Sequence, residues 1–139
     1  MFEEWVVLAS ESYSIKYAAN PYSALEKVLQ PYLLKKVLLV TDDHVNALYG
    51  NTILTKLQSI GHTPIEHIFP AGEDSKTISN VVKLLDLSLK HNWNRDDVFL
   101  VVGGGVVGDM GAFAASLCLR GVPLIHVPTT LLAQVDSAI

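Results

Sequence analysis

The sequence predicts an α/β fold in which a doubly wound, mostly parallel sheet follows an N-terminal β-hairpin. Strand-like and helix-like segments alternate along most of the 139 residues, which is typical of parallel strands joined by helical crossovers. The predicted strands are nearly continuous in apolar residues, as expected for strands buried on both faces. A glycine-rich connection, residues 103–108, leads from an apolar strand into a predicted helix. These patterns together predict a sheet covered by helices on both sides.

Local patterns place the elements along the chain. The predicted elements are a hairpin at 5–8 and 13–17, strands at 36–41, 65–69, 98–102 and 124–127, and helices at about 45–60, at 78–91 and from the glycine turn to about 119. Gly61 is placed to end the first helix, and Thr77 to cap the second. The order is Rossmann-like. A last helical pattern starts at Leu131 and meets no stop signal before Ile139, so we expect the chain to be truncated.

Composition favours one domain, residues 1–139, with a sizeable core, because half of the residues are hydrophobic and 17% are charged. The formal charge of −4 and the scattered lysines predict no nucleic-acid partner. We find no signal sequence and no apolar run that could span a bilayer, so we expect a cytoplasmic protein with no membrane partner. Cys118, the only cysteine, lies in an apolar stretch. It excludes a disulfide framework and predicts a buried, unreactive thiol.

Polar residues follow each of the predicted parallel strands. Asp42 and Asp43 follow one strand, residues 72–76 the next, the glycine turn the third, and Thr129 and Thr130 the fourth. Because ligands of doubly wound sheets bind beyond the carboxyl ends of the strands, these residues predict a binding site at one edge of the sheet.

The glycine turn itself fits a phosphate site, since Gly103, Gly105 and Gly108 satisfy the G-x-G-x-x-G pattern. Glycines can adopt positive φ and let backbone N–H groups approach a pyrophosphate, which the helix dipole also favours. The alternative is a closely packed connection without a ligand. The acidic residue that usually binds the ribose about 20 positions later is missing, because residues 127–129 are Val-Pro-Thr.

Each polar candidate has a functional and a structural interpretation. Asp42 can accept hydrogen bonds from ribose hydroxyls or cap the next helix. Glu73 and Lys76 can meet on one helical turn and bind hydroxyls and phosphate, or form a solvated pair. Thr129 and Thr130 can offer hydroxyls to a ligand, or one of them can cap a helix.

Three further residues are assigned mainly by their place in the elements. Asp109 and Asp136 lie near helix starts, where the helix dipole stabilises carboxylates. His126 lies within a strand, which favours a hydrogen-bonded core histidine over a catalytic one. None of the five histidines has the spacing of a metal site, so no residue of this chain is expected to bind metal.

Three sequence blocks resemble the N-terminal domain of 3-dehydroquinate synthases. They are PAGEDSKT at 70–77, GGGVVGD at 103–109, and RGVP at 120–123 running through VPTTLLAQVDS at 127–137. The resemblance implies an NAD-dependent lyase of the shikimate pathway for aromatic amino acids. Such an enzyme converts 3-deoxy-D-arabino-heptulosonate 7-phosphate, a sugar-acid phosphate, to 3-dehydroquinate and phosphate. The strand and helix pattern extends the resemblance over essentially the whole chain.

The resemblance also implies roles for individual residues. Asp136 would face the nicotinamide and the substrate, and Arg120 would reach the substrate phosphate across a dimer interface, where its guanidinium can bind bidentately. The cofactor set implied by the family is Asp42, Ala71, Gly72, Glu73, Asp74, Ser75, Lys76, Gly104, Gly105, Val106, Val107, Gly108, Asp109, Thr129, Thr130 and Leu132. Asp42, Glu73 and Lys76 would hold the adenosine ribose side.

The chain also departs from the family pattern. The family usually has Asp at Ala71, Ala-Gly at Gly111-Ala112, and Ser at Ala138. Its next Gly-Gly-Lys segment and its helical second domain, with a glutamate and two histidines on zinc or cobalt, do not occur in these residues. We therefore expect this chain to be inactive alone, and the full-length enzyme to be a homodimer.

Other functions remain open. An inosose or valiolone cyclase or an NAD-dependent polyol dehydrogenase would share the glycine turn, although the block at 128–137 is unlike that of the dehydrogenases. A non-catalytic nucleotide-binding remnant is the other alternative.

Overall fold

The computed structural model describes residues 1–139 and contains two separate sheets. The first is the predicted hairpin, in which β1 (Phe2–Val7) pairs antiparallel with β2 (Ser12–Tyr17). Its side chains are largely exposed, and Phe2 packs against Tyr17 with ring centroids 5.7 Å apart. The hairpin therefore contributes little to the main core.

The second sheet has four parallel strands, which confirms the predicted doubly wound, Rossmann-like class. The strands are β3 (Val37–Asp42), β4 (Ile65–Phe69), β5 (Val98–Gly103) and β6 (Leu124–Pro128). Their order across the sheet is β4-β3-β5-β6. The chain passes from β3 outward to β4 and then crosses back to β5 on the other side of β3. This reversal makes the space between the carboxyl ends of β3 and β5 the topological switch point, where ligands of such sheets bind.

Six α-helices accompany the strands. They are α1 (Pro21–Leu29), α2 (Asp43–Val45), α3 (Asn51–Ser59), α4 (Ile78–Lys90), α5 (Gly105–Leu117) and α6 (Leu131–Val135), with a π-turn (Asn46–Gly50) between α2 and α3. Gly61 has φ +91 just after α3, and the Thr77 side chain caps α4, as predicted. None of the helices is long and apolar enough to cross a membrane.

The strands β3 and β5 are buried on both faces, because their alternate residues feed two cores. One core holds Leu38, Val40, Phe99 and Val101 beneath α4 and α5. The other core holds residues of the opposite parity, among them Leu39, with side chains of α1 and α3. Near-continuous apolar runs in these strands are the direct consequence of this double covering.

The helix α1 was not predicted. Its start is nonetheless encoded locally, since the Asn20 side chain accepts hydrogen bonds from the backbone N–H groups of Tyr22 and Ser23, and Pro21 occupies the first helical position. Only Leu25 and Leu29 of this helix are buried, so its apolar pattern is short. The capping signal was therefore the more informative one.

The helix α5 sets the positions of its two ends relative to the sheet. It begins directly after β5, at the carboxyl ends of the strands, and runs back toward their amino ends. There the backbone N–H of Phe99, at the start of β5, donates to the carbonyl of Pro123 at 2.9 Å. Residues 104–109 and residues 118–123 therefore lie at opposite edges of the sheet.

Candidate functional site

A cavity of about 290 Å³ lies at the switch point between the ends of β3 and β5. Nine of the predicted cofactor residues line it: Asp42, Ala71, Gly72, Gly104, Gly105, Val106, Val107, Thr129 and Thr130. The backbone N–H of Thr129 donates to the carbonyl of Gly103 at 3.0 Å, which joins the end of β6 to the glycine turn. The sheet thus brings residues from four strand ends to one place.

One wall of the cavity was missed by the sequence analysis. It is formed by His44 and Val45 of α2 and by Leu48 and Tyr49 of the π-turn. Leu48 and Tyr49 are partly exposed. The available signal was their position, since they follow the strand end that carries Asp42. Helical periodicity alone placed these residues on a helix without showing which face meets the cavity.

The glycines of the turn matter because they have no side chain, and not because they adopt positive φ. None of its glycines is among the residues with positive φ, so that part of the prediction is wrong. Gly104 is extended and Gly105 is already helical. A Cβ atom on Gly103 would lie 2.9 Å from Val107 Cβ, whereas on Gly105 it would meet only Ser137 Oγ, at 4.0 Å. Gly103 therefore permits close packing, and Gly105 keeps the cavity open.

The N-terminus of α5 offers backbone donors to the cavity. Gly104, its N-cap, provides no side-chain hydrogen bond. The first backbone donor that is satisfied within the helix is Gly108, whose N–H donates to Gly104 O at 3.0 Å. The N–H groups of Gly105, Val106 and Val107 thus remain available, and the helix dipole favours an anion at this point.

Asp42 and Thr130 both cap helices, as their structural interpretations predicted. Asp42 Oδ1 accepts a hydrogen bond from the N–H of Val45 at 2.8 Å, and Thr130 Oγ1 accepts one from the N–H of Ala133 at 3.1 Å. Asp42 Oδ2 has no hydrogen-bond partner in the chain, and Asp42 is one of the residues that line the cavity. Capping and ligand binding are therefore compatible for this carboxylate, because it has two oxygens.

Lys76 pairs with Asp109 and not with Glu73 as the local spacing suggested. Lys76 Nζ lies 2.7 Å from Asp109 Oδ2, which links the loop after β4 to the first turns of α5. The hydrogen bond and the charge of Asp109 hold the pKa of Lys76 above its usual value, and the nearby carboxylates of Glu73 and Asp136 add to this effect. One ammonium group thus stands among three carboxylates beside the glycine turn.

Seven of the sixteen predicted cofactor residues do not line the cavity: Glu73, Asp74, Ser75, Lys76, Gly108, Asp109 and Leu132. Ser75 is buried and donates to the carbonyl of Pro70, so it stabilises the loop after β4. Asp74 and Leu132 are exposed. Gly108 is buried in α5, where an added Cβ would lie 3.2 Å from Ser137 Oγ and 3.6 Å from His126 Cε1.

Ser137 is a polar residue at the site to which the sequence analysis gave no role. Its hydroxyl is buried and has no hydrogen-bond partner. The only signal in the sequence was its place in the block at 127–137, because its contact with α5 is made across distant parts of the chain.

Arg120 lies near the amino ends of the strands, away from the cavity, which lies at their carboxyl ends. It belongs to a short turn in which Leu119, Arg120 and Gly121 have φ values of +50, +69 and +112. Left-handed conformations are unfavourable for Leu and Arg, so the surrounding structure holds this turn in place. Arg120 of one chain therefore does not join the cavity of the same chain.

The remaining titratable candidates have structural environments. His126 is half-buried in β6, and burial lowers its pKa, although the charge of Asp109 acts in the opposite direction. Cys118 is buried, as predicted, and burial raises the pKa of its thiol. No group of three or more His, Cys, Asp or Glu side chains is placed to hold a metal ion.

Comparison with known proteins assigns the family. Residues 66–139 match the family described as 3-dehydroquinate synthase N-terminal. The chain belongs to the 3-dehydroquinate synthase family. The 3-dehydroquinate synthases of Desulforamulus reducens and Picosynechococcus sp. are 42% and 38% identical to it over 135 residues, which is 96% of the chain. Those alignments cover only 38% and 37% of the relatives. The chain thus spans little more than one third of the length of these synthases.

Solved structures support the same family and fold. A 2-deoxy-scyllo-inosose synthase, solved with carbaglucose-6-phosphate, NAD+ and Co2+, aligns with 98% of this chain and 38% of its own, at TM-score 0.86 and 25% identity. The 2-epi-5-epi-valiolone synthase of Streptomyces hygroscopicus subsp. jinggangensis 5008, solved with NAD+ and Zn2+, aligns with 80% of this chain and 31% of its own, at TM-score 0.73 and 30% identity. The fold is that of the sugar-phosphate cyclases.

Proposed function

We propose that this chain is the NAD-binding part of a 3-dehydroquinate synthase, which converts 3-deoxy-D-arabino-heptulosonate 7-phosphate to 3-dehydroquinate and phosphate. The observation that carries the proposal is the cavity at the switch point, where the uncapped start of α5 meets the free oxygen of Asp42. Relatives named 3-dehydroquinate synthase support this reaction over that of an inosose or valiolone synthase, because the identity is higher. The protein is proposed to act in the cytoplasm.

The residues present fit NAD. Three N–H groups at the start of α5 can donate to the pyrophosphate, and the open space at Gly105 lets it approach the backbone. Asp42 Oδ2 can accept from ribose hydroxyls while Oδ1 still caps α2. A buried hydroxyl without a partner, that of Ser137, lies beside the same turn. Thr129 and Thr130 would lie along the remainder of the cofactor.

Bound NAD would supply the reversible oxidation of a substrate hydroxyl to a ketone, by taking a hydride from the carbon that bears it, and the ketone would acidify the neighbouring C–H bond so that phosphate can be eliminated. The chain's own residues bind and orient. Asp109 and Lys76 fix each other beside the pyrophosphate position, and Asp136, which is close enough to raise the pKa of Lys76, would face the reacting end of the substrate. Arg120 would serve the substrate phosphate of a second copy, because it lies at the opposite edge of its own sheet.

We propose that a divalent metal, Zn2+ or Co2+, is held by residues outside these 139, and that the full-length enzyme is a homodimer. The 2-deoxy-scyllo-inosose and 2-epi-5-epi-valiolone synthases were solved with Co2+ and Zn2+ respectively. No metal-ligating cluster is present in this chain.

The site should bind NAD at least about tenfold more tightly than NADP, because the carboxylates of Asp42 and Glu73 repel a ribose 2′-phosphate. Calorimetric titration of the chain with each cofactor measures the ratio. Asp42→Asn is the matched variant, since its amide oxygen can still accept from the N–H of Val45 while the charge is lost. This variant should have a smaller preference for NAD over NADP. Equal or tighter binding of NADP by the unsubstituted chain would contradict the proposal.

The proposal that this chain binds the cofactor but cannot complete the reaction alone is tested by measuring phosphate release. With NAD and Zn2+ supplied, the 139-residue chain should release no phosphate from 3-deoxy-D-arabino-heptulosonate 7-phosphate, since elimination is proposed to need the metal and bases held elsewhere. A full-length 3-dehydroquinate synthase serves as the positive control. Turnover by the 139-residue chain at a comparable rate would show that the catalytic residues lie within this chain, and would contradict the proposal.

A further inference from the structure

Asp43 holds the loop after β4 against the end of β3, although it does not itself line the cavity. Its Oδ1 atom accepts a hydrogen bond from the backbone N–H of Ala71 at 2.9 Å. The pairing of the two parallel strands ends with Asp42 beside Phe69, and Pro70, which follows, has no N–H group to continue it. The Asp43 carboxylate therefore extends the contact between the two strand ends, through a side chain instead of the backbone.

This hydrogen bond is made where the loop turns along the cavity. Ala71 and Gly72 both line the cavity. Gly72 has φ +110, a conformation that residues with a side chain rarely adopt. The bond to Asp43 fixes the backbone one residue before this turn. The direction in which the loop leaves β4 therefore depends on it.

The rest of the loop is held by its own residues and by α4 and α5. Ser75 donates to a carbonyl within the loop, and Asn80 Nδ2 of α4 donates to the carbonyl of Ser75 at 2.7 Å. Lys76 pairs with Asp109 of α5. None of these contacts reaches β3. Asp43 thus makes the side-chain hydrogen bond that joins this loop to the β3 side of the cavity.

We infer that Asp43 is a positioning residue for cofactor binding, which acts through the backbone of Ala71 to set the cavity wall that Ala71 and Gly72 form. The inference rests on the proposed function, since it needs NAD in the cavity. Asp43 does not have to touch the cofactor to have this effect. Its negative charge would repel an anionic cofactor, so its contribution to binding comes from the hydrogen bond and opposes the effect of the charge.

Two variants separate the hydrogen bond from the charge. Asp43→Asn and Asp43→Ala remove the same negative charge, but the asparagine keeps an oxygen that can accept from the N–H of Ala71. In calorimetric titration with NAD, Asp43→Ala should weaken the affinity about fivefold, as expected for the loss of one net hydrogen bond. Asp43→Asn should keep at least the original affinity. Equal losses in the two variants, or no loss in Asp43→Ala, would overturn the inference.

Hydrogen exchange measured by NMR gives a readout without cofactor. The N–H of Ala71 should exchange faster in Asp43→Ala and keep its protection in Asp43→Asn, because only the alanine removes its acceptor. The melting temperature and the exchange of the β3 and β5 amides should stay nearly the same, since Asp43 is exposed. A lower melting temperature with a general loss of protection in Asp43→Ala would make Asp43 a residue of global stability, contrary to the inference.

Asp86→Ala is the control variant, because Asp86 is exposed on α4 and lies outside the cavity. The same chemical change at that position should leave both the NAD affinity and the exchange of the Ala71 N–H unchanged. If the unsubstituted chain binds no NAD, the proposed function fails together with the inference. If the unsubstituted chain and Asp43→Ala bind NAD equally well, the inference alone fails.

Discussion

Gly105→Val should abolish NAD binding, with a loss of about a hundredfold or more, while the chain stays folded. Gly105 is the first residue of α5 and lines the cavity. Its φ is not positive, and an added Cβ meets only Ser137 Oγ, at 4.0 Å, so a side chain is compatible with the fold. The branched valine would nevertheless fill the space in which a pyrophosphate must approach the N–H groups. Calorimetric titration beside a melting curve measures both effects.

Gly105→Ala is the graded control for this prediction. One methyl group should weaken NAD less than the valine does, and the helical position should tolerate it or gain stability from it. Undiminished binding by Gly105→Val would show that the glycine turn is only a packing device, which is the alternative that the sequence left open.

Gly111→Ala should have the opposite effect, a large loss of stability caused at a position outside the cavity. An added Cβ at Gly111 would lie 2.5 Å from Val101 Cγ2 and 2.9 Å from Val101 Cγ1. Both residues are buried where α5 packs on β5, so helix and strand must separate. Overpacking of this kind costs about 1–3 kcal/mol, seen as a lower free energy of unfolding in urea.

The matched comparison is again Gly105→Ala, the same chemical change in the same helix without a close contact. Combining Gly111→Ala with Val101→Ala should recover part of the loss, since the smaller strand residue makes room for the methyl group. Strictly additive losses in the double variant would mean that the clash with Val101 is not the cause.

Much of the fold could be predicted because it depends on local patterns. The apolar runs at β3 and β5, the cap at Thr77 and the helix stop at Gly61 are all encoded within a few residues. The glycine turn was placed correctly, but its conformation was not, because the helix already begins at Gly105 and leaves no residue that needs positive φ.

The contacts of the candidate site were harder to predict, because they join distant segments. The pairing of Lys76 with Asp109 depends on how α5 packs beside the loop after β4, so the nearby Glu73 was the wrong partner to expect. The contact of Ser137 with α5 at Gly108 has the same origin. The place of Arg120 follows from the length of α5, which at about 1.5 Å per residue carries the chain to the far edge of the sheet.

The two central strands give the cavity a dependence on the whole folding reaction. β3 and β5 are neighbours in space, with Val40 beside Val101, yet β4 and α4 lie between them in sequence. The cavity has one wall from each strand end, so no local segment contains even half of it. An unfolded or partly folded chain offers no such cavity, so NAD, the proposed cofactor, would bind only the native state. By mass action, the cofactor would then act as a folding ligand whose concentration sets how much of the chain survives heat, denaturant or proteolysis.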